Sequence, residues 1–308
     1  MSNKDQMICD LETGVCGEVE DKEMEMMDFD QPDNSIDLYY VTDPICSHCW
    51  ALEPVLRRFV KQYGSYVNVR VVMGGLLEKW EGFGDHKNGI SKPEDVALHW
   101  KEVGEHSRMP IDGTLWYDNP VQSSYPPSRV YKVIQKQSEA LAEVYLRRIR
   151  EAVFAFNQTV SERSVLVDIV NRMGLDGGTI VDEAGSARAQ QLLNEDFQLA
   201  ARLGVRGFPT IIMMNEENKG VKIVGVRELN NYIAGLQKVI GVEDLKAESR
   251  PSLPTLLQEE RLLFAKEVEE MYDLSPTDFP DFVKKELPTN QYHMKEVLGE
   301  TYLSSIES

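Results

Sequence analysis

Basic residues are scarce in this sequence. Lysine and arginine total 33 against 51 aspartates and glutamates, which leaves a formal charge of −18 at pH 7. Phosphate backbones are gripped by lysine- and arginine-rich faces, so the balance argues against nucleic acid as a partner. There is also no apolar run of the roughly 18 residues needed to cross a bilayer, so no membrane association is expected. The opening stretch, MSNKDQMICDLETGVCGEVEDKEMEMMDFD, has no apolar segment behind a basic start and does not read as a secretory signal. These absences together predict a cytoplasmic protein.

Cysteine is sparse too. Four, at Cys9, Cys16, Cys46 and Cys49, are too few for a disulfide scaffold in a chain of 308 residues, which is long enough to bury a sizeable core. In a reducing compartment, paired cysteines are more often catalytic or metal-binding than structural. His86, His99 and His106 lack ligand spacing with one another and are assigned no role. Gly177-Gly178 opens no phosphate loop, because no strand precedes it and no Lys-Ser/Thr follows. No internal repeat is present, and no cofactor or metal is expected.

What is there falls into six segments. Residues 1–34 read as an acidic, largely disordered tail. Residues 35–92 read β–α–β: IDLYYVT is a buried strand, a helix runs from Cys46 to Tyr63 with a kink at Pro54 and a stop at Gly64, and VNVRVVM is a second strand. Residues 93–203 repeat apolar positions at helical steps, with Ser161 as one N-cap and Gly174 and Gly204 as stops. Trp100, Trp116, Tyr125 and Phe154 read as core or as lining of a groove above the thiols. Residues 204–241 return to β with TIIMM, a polar turn at Asn215 to Asn218, VKIVG and a closing helix. A charged linker at 242–253 leads to a helical extension at 254–308. There TLLQEERLLFAKEVEEMYDL reads as one helix, Ser275-Pro276 opens another and Thr289 a third.

The chemistry concentrates in DPICSHCW, residues 43–50. In a Cys-x-x-Cys at a helix N-terminus, the first sulfur sits near unpaired backbone N–H groups and the positive end of the helix dipole, and both favour thiolate. Cys46 is therefore the expected exposed nucleophile and Cys49 the more buried resolving thiol. A His48 imidazolium between them would lower the thiolate pKa further. Zinc would need four ligands and would have to recruit Cys9 and Cys16; burial of two inert thiols is the other alternative. Cys9 and Cys16 themselves could exchange disulfides with the main pair, bind metal, or be incidental thiols on a tail. Downstream, GVRGFPT places Pro209 just before a strand, where a cis-proline facing the Cys-x-x-Cys would help bind an extended substrate chain.

The order strand, Cys-x-x-Cys, helix, strand, helical block, Pro-Thr, strand, hairpin, helix resembles the thioredoxin superfamily. It is closer to the DsbA-like branch, in which a helical domain is inserted between the two halves of the thioredoxin fold. YYVTDPICSHCW, VRVVMGGLLE, MPIDGTLWYDNPVQSSYPPS and GVRGFPT are similar to motifs of its FrnE-type dithiol-disulfide isomerases. The resemblance covers about residues 36–240. It implies an α/β thioredoxin fold split into 35–92 and 204–241, with Cys46 as nucleophile, Cys49 as resolving cysteine and Pro209 as the cis-proline. The activity implied is disulfide exchange with protein thiol substrates. Phe208 departs from the smaller β-branched residue that precedes this proline in the periplasmic oxidase, so neither substrate preference nor strong oxidising power carries over. The extension, in RLLFAKEVEEMYDLSPTDFPDFVKKE, is similar to the SpxH (YjbH) adaptor family. That resemblance implies a second role, binding the regulator Spx and presenting it to the ClpXP protease.

Overall fold

The structure, a computed structural model, describes residues 36–85 and 88–306, together with the backbone of three short strands before them. His86 and most of the expected tail lie outside the described residues. Where the tail is described it is paired: Cys9–Asp10 (β1), Val15–Gly17 (β2) and Met24–Asp28 (β3) are strands. An open sheet edge offers a row of unpaired N–H and C=O groups to any nearby segment.

The first half of the main unit contains Asp37–Thr42 (β4), Ser47–Tyr63 (α1) and Asn68–Met73 (β5). β4 is buried on both faces from Leu38 onward, as its unbroken apolar run requires. α1 turns Leu52, Leu56 and Phe59 inward and runs on through Pro54.

The helical block follows as Val96–Ser107 (α2), Leu115–Asp118 (α3), Tyr125–Gln135 (α4), Glu139–Arg150 (α5), a π-helical turn at Glu151–Ala155, Arg163–Arg172 (α6), Gly177–Ala184 (α7) and Ala187–Arg202 (α8). Ser138 and Ser186 cap α5 and α8 by accepting from the N–H groups of Leu141 and Ala189. Ser161 does not cap α6, which starts from Glu162; its hydroxyl instead accepts from the N–H of Gln122. Gly177 is explained by packing, since a Cβ there would lie 2.4 Å from the Val167 carbonyl oxygen. Asp196 ties the block to the sheet: it pairs with Lys132 Nζ at 2.6 Å and accepts from the Met73 N–H at 2.9 Å.

The chain then forms Gly207–Phe208 (β6), Thr210–Met214 (β7), Lys219–Val224 (β8) and Leu229–Ile240 (α9). The predicted hairpin is the β7–β8 pair. The main sheet has the order β3-β8-β7-β4-β5, with β4 and β5 parallel and the other neighbours antiparallel. β1, β2 and β6 make a small separate sheet.

The C-terminal unit holds Leu253–Glu260 (α10), Leu262–Phe264 (β9), Ala265–Tyr272 (α11), Phe279–Glu286 (α12), Tyr292–Val297 (β10) and Glu300–Ser305 (β11). Two expectations are corrected here. The single helix predicted over TLLQEERLLFAKEVEEMYDL breaks at Arg261, whose φ of 62° is left-handed, so that Leu262–Phe264 can pair with β11. The helix predicted from Thr289 is a β-hairpin, turned by Leu298 and Gly299 at φ 54° and 80°. Positive φ at both central residues suits the twist of a tight hairpin. α12 begins at Phe279 rather than at Pro276.

The C-terminal unit has its own small core around Leu256, Val268, Val283 and Leu303. It is fastened to α1, α5 and the end of α2 by Phe264, which meets Trp50 edge-to-face at 5.6 Å, and by acids set against arginines. Glu267 pairs with Arg147, Glu269 with Arg108, Glu260 with Arg57, and Asp273 with Arg58.

Candidate functional site

β4 delivers Thr42 and Asp43 to the turn before α1. Asp43 Oδ1 accepts from the Ile45 N–H at 3.0 Å and its carbonyl from the Cys46 N–H at 3.3 Å, which folds the chain into the helix. Cys46 is the N-cap: its Sγ accepts from the Cys49 N–H at 3.3 Å, the place where serine or aspartate oxygen usually serves. The helix start expected near Cys46 is therefore where the structure puts it, and both sulfurs lie within its first turn.

The predicted exposure of Cys46 is not found; both thiols are fully buried. They pack in one cluster with Tyr39, Val41, Val72 and Phe208. The Phe208–Pro209 peptide is cis. The Phe208 ring lies over Gly74, where a Cβ would stand 2.0 Å from ring carbon. Gly74→Ala is accordingly expected to push Phe208 off the thiols. The cost is about 1–3 kcal/mol in thermal or urea unfolding, the usual range for overpacking. An unchanged stability would mean that the ring moves freely.

Burial pushes the Cys46 thiol up, and its hydrogen bond to Cys49 adds to this. Burial acts on Cys49 as well, but the Cys46 hydrogen bond, the Arg150 guanidinium and the Thr42 hydroxyl outweigh it and hold Cys49 below the usual thiol value. Arg150 is itself fully buried, pairs with Glu53 and donates to Thr42 Oγ1. Residue spacing did not point to Arg150; the available signal was a charged residue beside the apolar Tyr145, Leu146 and Ile149 of α5.

His48 is buried in the first turn of α1. Its ring stands against His99 at 5.3 Å and lines a cavity of about 750 Å³ with Arg58, His106, Lys266 and Glu270. The positive charge that favours the Cys49 thiolate is that of Arg150. Trp100, Trp116 and Phe154 form a buried aromatic cluster, with Trp116 edge-on to Trp100, while Tyr125 is half-buried against Phe197. Among the described residues no cluster of three or more His, Cys, Asp or Glu could hold a metal.

Two buried groups beside the site should give opposite pH dependence. Burial raises Asp43 from 3.8 to about 6, against hydrogen bonds from Leu76, Ile45 and Ser124. The folded chain thus binds an extra proton between these values. Stability from this group is full below pH 3.8 and is lost as pH rises through 6, about 3 kcal/mol in all. Among the described residues His99 has no hydrogen-bond partner on either ring nitrogen, and burial lowers it from 6.5 to about 4. Its contribution is full above pH 6.5 and lost as pH falls towards 4. In urea titrations, the wild-type advantage over Asp43→Asn should shrink with rising pH, and that over His99→Phe should grow. Parallel pH curves for all three proteins would contradict both assignments.

Among the described residues no helix is long and apolar enough to cross a membrane. Curated relatives cover nearly the whole chain. The ClpXP adapter protein SpxH of Halalkalibacterium halodurans is 29% identical over 92% of this chain and 92% of its own length. The protein of that name from Bacillus subtilis is 27% identical over 82% of this chain and 84% of its own. Among solved structures, the cytosolic disulfide reductase DsbM of Pseudomonas aeruginosa superposes with a TM-score of 0.54 at 21% identity, covering 67% of this chain and 98% of that one. The shared fold is the thioredoxin fold with an inserted helical domain. The family model described as Thioredoxin matches residues 39–234, and the chain belongs to the thioredoxin family.

Proposed function

We propose that this protein is a cytoplasmic adaptor that binds the regulator Spx and promotes its degradation by the ClpXP protease. The observation that carries this reading is the extent of the match to a protein named as a ClpXP adapter, 92% of the chain, which reaches past the thioredoxin match into the C-terminal unit. The packing is consistent with it. Full burial leaves the dithiol poorly placed for attack on a bulky protein disulfide, while the C-terminal unit is fastened to α1 by Phe264 and paired charges. A binding protein gains from such rigidity, because fewer groups are ordered on docking.

The test is a reconstituted assay with ClpXP, Spx and the full chain. Spx should disappear faster with the chain present, and equally fast with a Cys46→Ser/Cys49→Ser variant. No acceleration by the wild-type chain would remove the adaptor reading.

A second reading, disulfide exchange with protein substrates through Cys46 and Cys49, is favoured by one specific geometry. Cys46 caps the helix and Arg150 sits beside Cys49, which is a good leaving thiolate. Insulin reduction by the wild type that is lost in Cys46→Ser would support it, and equal rates would remove it.

A further inference from the structure

We propose that Cys9 and Cys16 are an internal exchange partner of the Cys46–Cys49 pair, brought to it by the hairpin of β1 and β2. This rests on the second reading above, that the buried pair can exchange disulfides.

Two backbone registers carry the inference. In the β1–β2 pair Cys9 stands directly opposite Cys16. Residues facing each other across antiparallel strands hold their Cα atoms about 4.5–5.5 Å apart, inside the range of about 4.4–6.8 Å that a disulfide spans. On its other side β2 pairs with β6, and there Cys16 is opposite Phe208 and Gly17 opposite Gly207. Neighbouring strands lie about 4.8 Å apart. Cys16 is thus one strand spacing from Phe208, which packs in the same cluster as Cys46 and Cys49. The order β1-β2-β6 thus puts the Cys16 backbone next to β6 and that of Cys9 one strand beyond, although Cys16 and Cys46 are far apart in sequence. An internal partner already seated on the β6 edge has no need to be a bulky protein entering from solution.

The transfer is a pair of thiol–disulfide exchanges. Starting from a Cys46–Cys49 disulfide, the Cys16 thiolate attacks Cys46 Sγ; the S–S bond breaks and Cys49 leaves as a thiolate beside Arg150. The Cys9 thiolate then attacks Cys16 Sγ, the Cys9–Cys16 bond forms and Cys46 is released. Two electrons pass from the tail thiols to the helix disulfide, and the two protons given up by Cys9 and Cys16 are taken by Cys46 and Cys49. No outside oxidant enters these steps. The Cys46–Cys49 disulfide is regenerated by a low-molecular-weight disulfide such as oxidised glutathione.

The full chain, reduced and then exposed to oxidised glutathione without oxygen, is quenched by alkylation over time and mapped by mass spectrometry under non-reducing conditions. In the wild type a Cys9–Cys16 disulfide should follow formation of Cys46–Cys49. Cys46→Ser should slow it at least about tenfold, the loss expected when a held reactant is replaced by one from solution. Serine keeps a capping oxygen at this position, and near-ultraviolet circular dichroism checks that the fold is retained. A Cys9→Ser/Cys49→Ser chain should accumulate a Cys16–Cys46 bond, whereas Cys16→Ser/Cys49→Ser should not form Cys9–Cys46. Formation of Cys9–Cys16 at one rate with and without Cys46, or no Cys16–Cys46 bond, overturns the proposal. A Cys9→Ser/Cys16→Ser chain separates the two levels. If its Cys46–Cys49 pair never oxidises, the exchange reading falls and the proposal with it. If that pair oxidises while the wild type shows no transfer to the tail, only the proposal falls.

Discussion

Replacing Glu267 with alanine is expected to lower the unfolding free energy by about 3–5 kcal/mol, the cost of removing one partner from a buried ion pair. The Glu267 side chain is fully buried at the start of α11. It accepts from Arg147 Nη2 at 2.7 Å and from the Phe264 N–H at 2.9 Å, and Arg57 Nε stands at 3.7 Å. Arg147 lies in turn over the Trp50 ring, 4.8 Å from its centroid. Without the carboxylate, Arg147 Nη2 and the N–H of Phe264, the N-cap residue of α11, lose an acceptor together, and Arg147 keeps Glu151, on its Nε at 2.7 Å. Because these groups join the C-terminal unit to the thioredoxin unit, the expected phenotype is loosening at that seam. Urea unfolding with unchanged slope measures the loss, and a shift below about 1 kcal/mol would contradict it. An Arg147→Leu/Glu267→Ala double variant should recover part of the stability, since apolar groups can replace a buried pair at little cost.

Arg150→Leu is expected to change both chemistry and stability. The guanidinium pairs with Glu53 and donates to Thr42 Oγ1 and the Asp43 carbonyl, and its charge favours the Cys49 thiolate. Its loss leaves Glu53 with Arg57 at 3.3 Å as the remaining partner, so the cost should sit near the lower end for broken buried pairs, about 3 kcal/mol. The thiolate absorbance of the reduced protein should rise at higher pH than in the wild type, because burial would no longer be opposed by a neighbouring positive charge. An unmoved thiolate titration would assign the Cys49 shift to the Cys46 and Thr42 hydrogen bonds instead.

Legibility followed the range of the interactions. IDLYYVT, TIIMM and the helix after Cys46 were readable because an unbroken apolar run or a three-to-four step encodes its burial locally. TLLQEERLLFAKEVEEMYDL carries the same helical step, yet Leu262–Phe264 is a strand because β11, some forty residues later, offers it a ladder. Met24–Asp28 is a similar case within residues 1–34. Their composition argues against a core of their own, but β3 needs none, since it pairs with the edge strand β8. Ser161 looked like a cap until the fold brought the Gln122 N–H to it. Among the site residues, Cys46 and Cys49 declared themselves by spacing. Arg150 is about a hundred positions away, and His48, between the cysteines in sequence, lines a cavity with Arg58 and His106.

The sequence by itself determined the fold class, the dithiol at a helix start and the existence of a unit beyond the thioredoxin fold, because strand runs, helical periods and Cys-x-x-Cys spacing are all local patterns. Tertiary structure alone decided that both thiols are buried, that the Arg150 charge favours the Cys49 thiolate, and that Cys16 lies across from Phe208. Burial, electrostatic field and strand register depend on which distant segments meet, and no local pattern in the chain specifies that.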